Sequence, residues 1–327
     1  MSTDTDEITE KAILFDSSHC TACKGCQVAC KCWNNLPSPT GLNECVSNFT
    51  GSYQNPPDIN GDTRIIITFD EEAGGSKGVE WAFGRRSCQH CTDAPCATVC
   101  PSGALEVTEW GFVTVHDEKC IGCHYCQAAC PFDVPQYYGD KAIINKCTGC
   151  VDRIEQGMEP ACVTTCQPDA LLFGDRDEML MTAHERVGFL KRLGYEDASV
   201  YGESQVGGSH LIHVLKYPLD RYTLPEDPQT PAFVSITRVM KPLTGLAAAV
   251  TTLGLTLFYL LGIGYSRDTL AYNVETEDTL SVTTGEVVKH GDGQDEKSVM
   301  EHITENLPIE IPVGKGKDKE GKEDKDE

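Results

Sequence analysis

The 327-residue chain has no cysteine beyond Cys166, although it holds 18 cysteines between Cys20 and that point. Such one-sided clustering in a long chain excludes a disulfide framework, which belongs to short secreted domains. The opening residues Met-Ser-Thr-Asp-Thr-Asp-Glu lack an apolar h-region and a twin arginine, so an export signal of its own is not expected. Basic residues are few, 27 Lys and Arg against 50 Asp and Glu, for a formal net charge of −23. Without a basic footprint, nucleic acid is excluded as a partner. Residues 266–327 carry 17 acidic and 8 basic side chains, and the remaining excess of acid reads as a solvated surface. There is no P-loop, dinucleotide fingerprint or nucleophile constellation, and no catalytic residue is assigned.

What is there is order among the cysteines. The first run is Cys20, Cys23, Cys26 and Cys30; the third, Cys120, Cys123, Cys126 and Cys130, repeats it at an offset of 100 residues. The second run is Cys88, Cys91, Cys96 and Cys100, and the fourth, Cys147, Cys150, Cys162 and Cys166, has a longer insertion before its third member. Four runs of four supply 16 thiols, enough for four [4Fe–4S] clusters. Three thiols two residues apart wrap a tight loop around one cubane. A fourth, three residues on, faces away and serves a neighbouring cluster, as in two-cluster ferredoxins. Proline follows directly at Cys100-Pro101 and Cys130-Pro131, one residue later at Cys166-Gln167-Pro168, and not at all after Cys30. Structural zinc competes, since it also uses paired Cys-x-x-Cys. Three thiols as close as Cys20, Cys23 and Cys26 suit a cubane better than one tetrahedral ion. Cys32 and Cys45 are left over and read as free buried thiols. His90 and His124 lie inside runs, where they either donate to cluster sulfur or serve only packing or exposure.

Between the runs the pattern is of short hairpins. Residues 104–108 and 112–115 alternate across Gly111, and residues 170–174 resemble the first of these. Residues 36–81 form a Gly-, Pro- and Asn-rich insertion with one apolar strand at Ile65, Ile66 and Ile67. Residues 178–193 predict a helix burying Met181, Val187, Leu190 and Leu193, with Gly194 as its stop. Residues 211–215 predict a strand, flanked by a structural His210 and carrying a structural His213. Residues 242–266 carry no formal charge, between Lys241 and Arg267, and predict a single membrane-spanning helix without a haem-ligating histidine. The expected architecture is α+β. Two nested ferredoxin-like 2[4Fe–4S] units fill residues 1–241, one from runs two and three (88–130), the other from runs one and four (20–30 with 147–166). The transmembrane helix (242–266) and an acidic, unstructured tail (267–327) follow.

Four cysteine runs followed by one C-terminal apolar helix resemble the iron–sulfur (beta) subunits of respiratory, membrane-bound formate dehydrogenases. The matching residues are Cys26-Gln27-Val28-Ala29-Cys30, Cys120-Ile121-Gly122-Cys123, Lys146-Cys147-Thr148, Cys150-Val151-Asp152-Arg153 and Glu159-Pro160-Ala161-Cys162-Val163. Outside the runs, Gly207-Gly208-Ser209-His210 and Lys241-Pro242-Leu243 also match. The resemblance implies an electron-transfer subunit without catalysis of its own. It would take electrons from a formate-oxidising molybdenum- or tungsten-pterin subunit and pass them to a membrane cytochrome b subunit and quinone. It also implies four ligand sets: Cys20, Cys23, Cys26 and Cys166; Cys30, Cys147, Cys150 and Cys162; Cys88, Cys91, Cys96 and Cys130; and Cys100, Cys120, Cys123 and Cys126. Lys31-Cys32 departs from the family's usual serine–glutamate pair. The equivalent subunit of a hydrogenase, polysulfide or tetrathionate enzyme is the alternative. The chain is expected in the lipid bilayer of the inner membrane as a single-pass protein. Arg238 and Lys241 against Arg267 alone weakly favour a cytoplasmic cluster domain. The resemblance implies the reverse, a periplasmic cluster domain and a cytoplasmic tail, exported folded on the partner's signal.

Overall fold

The computed structural model describes residues 9–37, 53–73, 78–138, 141–263 and 270–289; Cys45 lies outside them. The chain divides into two units, Met1–Gly245 and Leu246–Glu327.

In the first unit the elements begin with β1 (Lys11–Asp16), α1 (Gly25–Trp33), β2 (Ile66–Ala73) and β3 (Val79–Arg86). Next come α2 (Pro95–Val99), β4 (Leu105–Val107), β5 (Val113–Val115), α3 (Tyr125–Ala129), β6 (Gln136–Tyr138) and β7 (Ile143–Asn145). The set continues with α4 (Val151–Ile154), α5 (Ala161–Thr164), β8 (Leu171–Asp175), α6 (Arg176–Arg192), β9 (Ser199–Tyr201) and β10 (Leu211–Leu215). The helix α7 (Ala232–Ile263) follows.

A mixed four-stranded sheet in the order β8-β1-β10-β9 divides the core. β1 runs parallel to β10, pairing Ile13 with Leu211, and antiparallel to β8, pairing Ile13 with Phe173. Alternation across the pleat gives each face its own task. Ala12, Leu14, Ile212 and Val214 pack on Met179, Ala183, Val187 and Leu190 of α6. Ile13, Phe15, Leu171 and Leu211 face the other way, among Cys26, Cys30, Cys162 and Phe112. Both faces are therefore covered, which is why Leu211, Ile212, Val214 and Leu215 form an unbroken apolar strand around His213.

β10 matches the expected strand, and the predicted hairpin of residues 104–115 is β4 paired with β5. The strand expected in the insertion is β2, and it pairs with β3, which begins at Val79 and runs past the insertion's end to Arg86. On α6 the buried stripe is Met179, Ala183, Val187 and Leu190, while Met181 and Leu193, expected inside, are exposed. The true stripe steps by four, four and three residues, and Met181 lies some 200° around the helix from Met179.

The helix α7 starts earlier than the uncharged segment, just after Pro231, so that its first turns carry Arg238 and Lys241. Its stretch Ala232–Leu261 has a mean hydropathy of 1.7, long and apolar enough to cross a membrane. From Arg238 to Leu261 every residue is exposed.

In the second unit, β11 (Leu270–Tyr272), β12 (Thr279–Ser281) and β13 (Val287–Lys289) form a small antiparallel sheet. The expectation of an unstructured tail is corrected over residues 270–289. There β-branched residues flank a turn closed by Gly285 at φ +76°.

Candidate metal centres

The repeat in sequence is a repeat in backbone. Ala22 and Lys24 of run one have φ of 52° and 61°, and Gly122 and His124 of run three have 65° and 62°. Each left-handed pair folds the loop tightly so that two thiols precede the helix and the third, Cys26 or Cys126, is buried in the first turn of α1 or α3. Only a glycine fits at 122, where a Cβ would lie 2.3 Å from the carbonyl oxygen of Ala142. The helix of each loop packs on a helix of another run, α1 on α5 and α2 on α3.

These pairings bring thiols of different runs together. Cys30, Cys147, Cys150 and Cys162 line one enclosed apolar cavity, with Ile13, Ile65 and Pro160 among its other walls. Cys88, Cys91, Cys96 and Cys130 line a second, walled by Pro95, Pro131, Phe132 and Val134. Cys20 lies near Cys23 and Cys166, Cys26 near Cys20 and Cys166 but also near Cys162, and Cys126 near Cys100, Cys120 and Cys123. Of these, Cys23 and Cys123 are exposed. Among the described residues no cysteine is in a disulfide, and no three Cys, His, Asp or Glu side chains converge closely enough to hold a single ion. In the two enclosed cavities the four thiols surround a volume, as a cubane requires.

Burial makes the thiolate costly here. It pushes Cys20 up to about 11, and Cys26 and Cys150 up to about 12, with neighbouring thiols adding to the rise. Burial likewise raises Cys126 to about 12 and Cys130 to about 11, and it raises Cys30, Cys88, Cys91 and Cys96. A group of iron ions reverses this, because a coordinating thiol gives up its proton. Cys100 differs. Burial pushes it up, but the N–H groups of Leu105, Ser102 and Ala104 and the Ser102 hydroxyl hold it below its ordinary value.

Donors already aim at sulfur elsewhere too. The Ala22 and His90 N–H groups donate to Cys20 and Cys88 Sγ, each at 3.4 Å. Asn34 Nδ2 donates to Cys30 Sγ at 3.7 Å, while Arg64 Nη1 holds the Asn34 Oδ1 at 2.7 Å. Neither histidine within the runs donates to sulfur from its ring. His90 Nδ1 accepts from the Val113 N–H at 3.0 Å, and exposed His124 stacks on Tyr137 with ring centres 4.5 Å apart. Cys32, expected to be buried, is exposed, because two residues beyond Cys30 on α1 it points away from the core.

The motif Gly207-Gly208-Ser209-His210 fastens run two to the sheet. Gly208 O accepts from Thr92 N at 2.9 Å, Ser209 bridges to Cys91, and His210 Nδ1 donates to His90 O at 2.8 Å. Two buried cations beside the thiols, Arg85 and Lys146, were not anticipated. The alternation of β3 turns Arg85 inward.

Fold and thiol geometry together define a [4Fe–4S] dicluster protein, and residues 79–176 match the family model described as a 4Fe-4S dicluster domain. The nitrate-inducible formate dehydrogenase iron–sulfur subunit of Escherichia coli (strain K12) is 40% identical over 268 residues, 80% of this chain and 88% of that one. The formate dehydrogenase iron–sulfur subunit of Haemophilus influenzae is 37% identical over 279 residues, 84% of this chain and 88% of that one. The B subunit of the anaerobic dimethyl sulfoxide reductase of E. coli is 37% identical over 171 residues, 52% of this chain and 76% of that one. The chain belongs to the family of formate dehydrogenase iron–sulfur subunits, and its cofactors are [4Fe–4S] clusters.

Proposed function

We propose that the chain is the electron conduit of a membrane formate dehydrogenase. It passes electrons from a formate-oxidising molybdenum- or tungsten-pterin subunit to a membrane cytochrome b subunit and quinone, and performs no substrate chemistry itself. The observation that supports this is the pair of enclosed cavities, each lined by four thiols drawn from two separate runs.

The proposed ligand sets are Cys20, Cys23, Cys26 and Cys166; Cys30, Cys147, Cys150 and Cys162; Cys88, Cys91, Cys96 and Cys130; and Cys100, Cys120, Cys123 and Cys126. Each takes the first three thiols of one run and the last of its partner, which gives two nested units. Bound there, the clusters supply one-electron uptake and release. The chain's own residues hold them: apolar walls such as Ile13, Ile65, Phe132 and Val134 exclude water, and backbone N–H groups donate to the sulfurs.

Formate as the source is supported by how far the likeness extends. The formate dehydrogenase subunit of E. coli matches 80% of the chain, whereas the dimethyl sulfoxide reductase subunit matches 52%. Anaerobic purification from membranes with native partners tests the proposal. A pterin-containing formate-oxidising subunit is expected to co-purify, with about 16 iron atoms per chain by the arithmetic of four cubanes. About eight irons, or a large subunit acting on another substrate, would contradict it.

A further inference from the structure

Arg85 lies at the end of β3 with 2% of its surface exposed. Its Nη1 and Nη2 donate to Cys162 Sγ at 3.6 and 3.7 Å, and its Nε to Ser87 Oγ at 3.1 Å. Lys146 is 1% exposed, walls the cavity of Cys88, Cys91, Cys96 and Cys130, and holds its charge beside Cys88. Its Nζ also donates to the carbonyls of Val113 and Cys147. Among the described residues neither cation forms an ion pair with a carboxylate. A buried, unpaired cation is strongly unfavourable, so each requires an anion nearby. The anion on offer is the thiolate-ligated cluster.

The placement is uneven. Lys146 lines one enclosed cavity, and Arg85 contacts Cys162 of the other while its charge also reaches Cys26 of an outer group. The two outer groups carry the exposed thiols Cys23 and Cys123, and Lys24 beside Cys23 is only half-buried. Charge and solvent exposure both set the potential of such a centre.

We propose that Arg85 and Lys146 are fixed counter-charges that raise the reduction potentials of the two enclosed clusters above the values they would have without them. An added electron makes the cluster more anionic and strengthens its attraction to the cation, so the cation favours the reduced form. Uptake moves one electron from a neighbouring centre, with no bond made or broken and no proton transferred. The inference rests on the ligand sets proposed above.

Potentiometric titration of the intact complex, followed by EPR, tests it. Cys162→Ser and Cys96→Ser first assign the two enclosed signals. Arg85→Gln is expected to reduce the one-electron reduction constant of the Cys162 cluster about tenfold, about 59 mV. Arg85→Lys, which keeps the charge but loses the two-pronged contact, is expected to reduce it by less. Lys146→Gln is expected to do the same to the Cys96 cluster. The signal of the cluster of Cys100, Cys120, Cys123 and Cys126 is expected to stay within error in every variant, and that of the Cys20 cluster, whose Cys26 also feels the Arg85 charge, to move less than the Cys162 signal. If Arg85→Gln fails to assemble, Arg85→Lys decides, and its midpoint must fall. An unmoved or raised midpoint, or an equal shift of all signals, overturns the proposal. A Cys162→Ser change that perturbs no single signal refutes the ligand sets instead.

Discussion

Lys241, in the early part of α7, donates from Nζ to the carbonyl oxygen of Cys100 at 3.1 Å and to that of Thr98 at 2.5 Å. Arg238, one turn earlier, pairs with Asp93. The charged start of the apolar helix is thus tied to both ends of α2, and Cys100 is the thiol that run two is proposed to contribute to an outer cluster. These contacts are exposed, so their worth to stability is small, about 0–1 kcal/mol. Their effect is positional.

Lys241→Ala is accordingly expected to leave iron content and formate-to-dye activity unchanged while lowering quinone reduction several-fold. Parallel dye and quinone assays on membranes check this. Equal loss in both assays would place the defect in the cluster domain.

Interleaved ligation makes a prediction at long range. Cys166→Ser is expected to disturb the cluster of Cys20, Cys23 and Cys26, far away in sequence, while Cys32→Ser and Cys45→Ser leave every signal intact. EPR of the three variants measures it. A Cys166→Ser spectrum altered only in the signal that Cys147→Ser also alters would refute the nesting.

The runs were legible because a cubane demands thiols at fixed intervals, and that demand is local. Pairings that join distant segments were not. Nothing in Lys11-Ala12-Ile13-Leu14-Phe15 says that Ile13 lies between Leu211 and Phe173, because that register comes from tertiary packing. The face of α6 was misjudged because Met181 is the more hydrophobic residue, while the sheet selects the smaller Ala183. Arg85 escaped notice because a buried cation makes sense only beside an anion that the sequence does not spell out.

Buried His213 carries a pH prediction. Its Nε2 donates to Gln89 Oε1 at 3.0 Å, and its Nδ1 has no hydrogen-bond partner. Burial, with the Arg85 charge adding to it, lowers its pKa from 6.5 to about 3. Below pH 6.5 the unfolded chain takes up a proton that the folded chain refuses, so stability falls as pH falls toward 3. The slope approaches about 1.4 kcal/mol per pH unit. His213→Gln removes this loss, so the wild type is expected to lose Tm relative to the variant between about pH 6.5 and 5. A constant difference across that window would contradict the assignment.

Topology is open to a direct test. The cluster domain is proposed to be periplasmic and the tail cytoplasmic, because a one-residue charge bias is slight and large domains translocate regardless of it. Cluster insertion before export also protects the ligand thiols from disulfide formation. Protease added to spheroplasts is expected to clip the cluster domain and spare an epitope in the tail. Clipping of the tail alone would reverse the orientation.

The central claim is that electrons from formate enter this chain and leave it toward the membrane. Its most direct measurement is anaerobic freeze-quench EPR of the purified complex after formate is added, with the cytochrome b spectrum followed in parallel. The account predicts that formate alone reduces the cluster signals and then the haem. Cluster signals that stay oxidised with formate yet reduce with dithionite would contradict it.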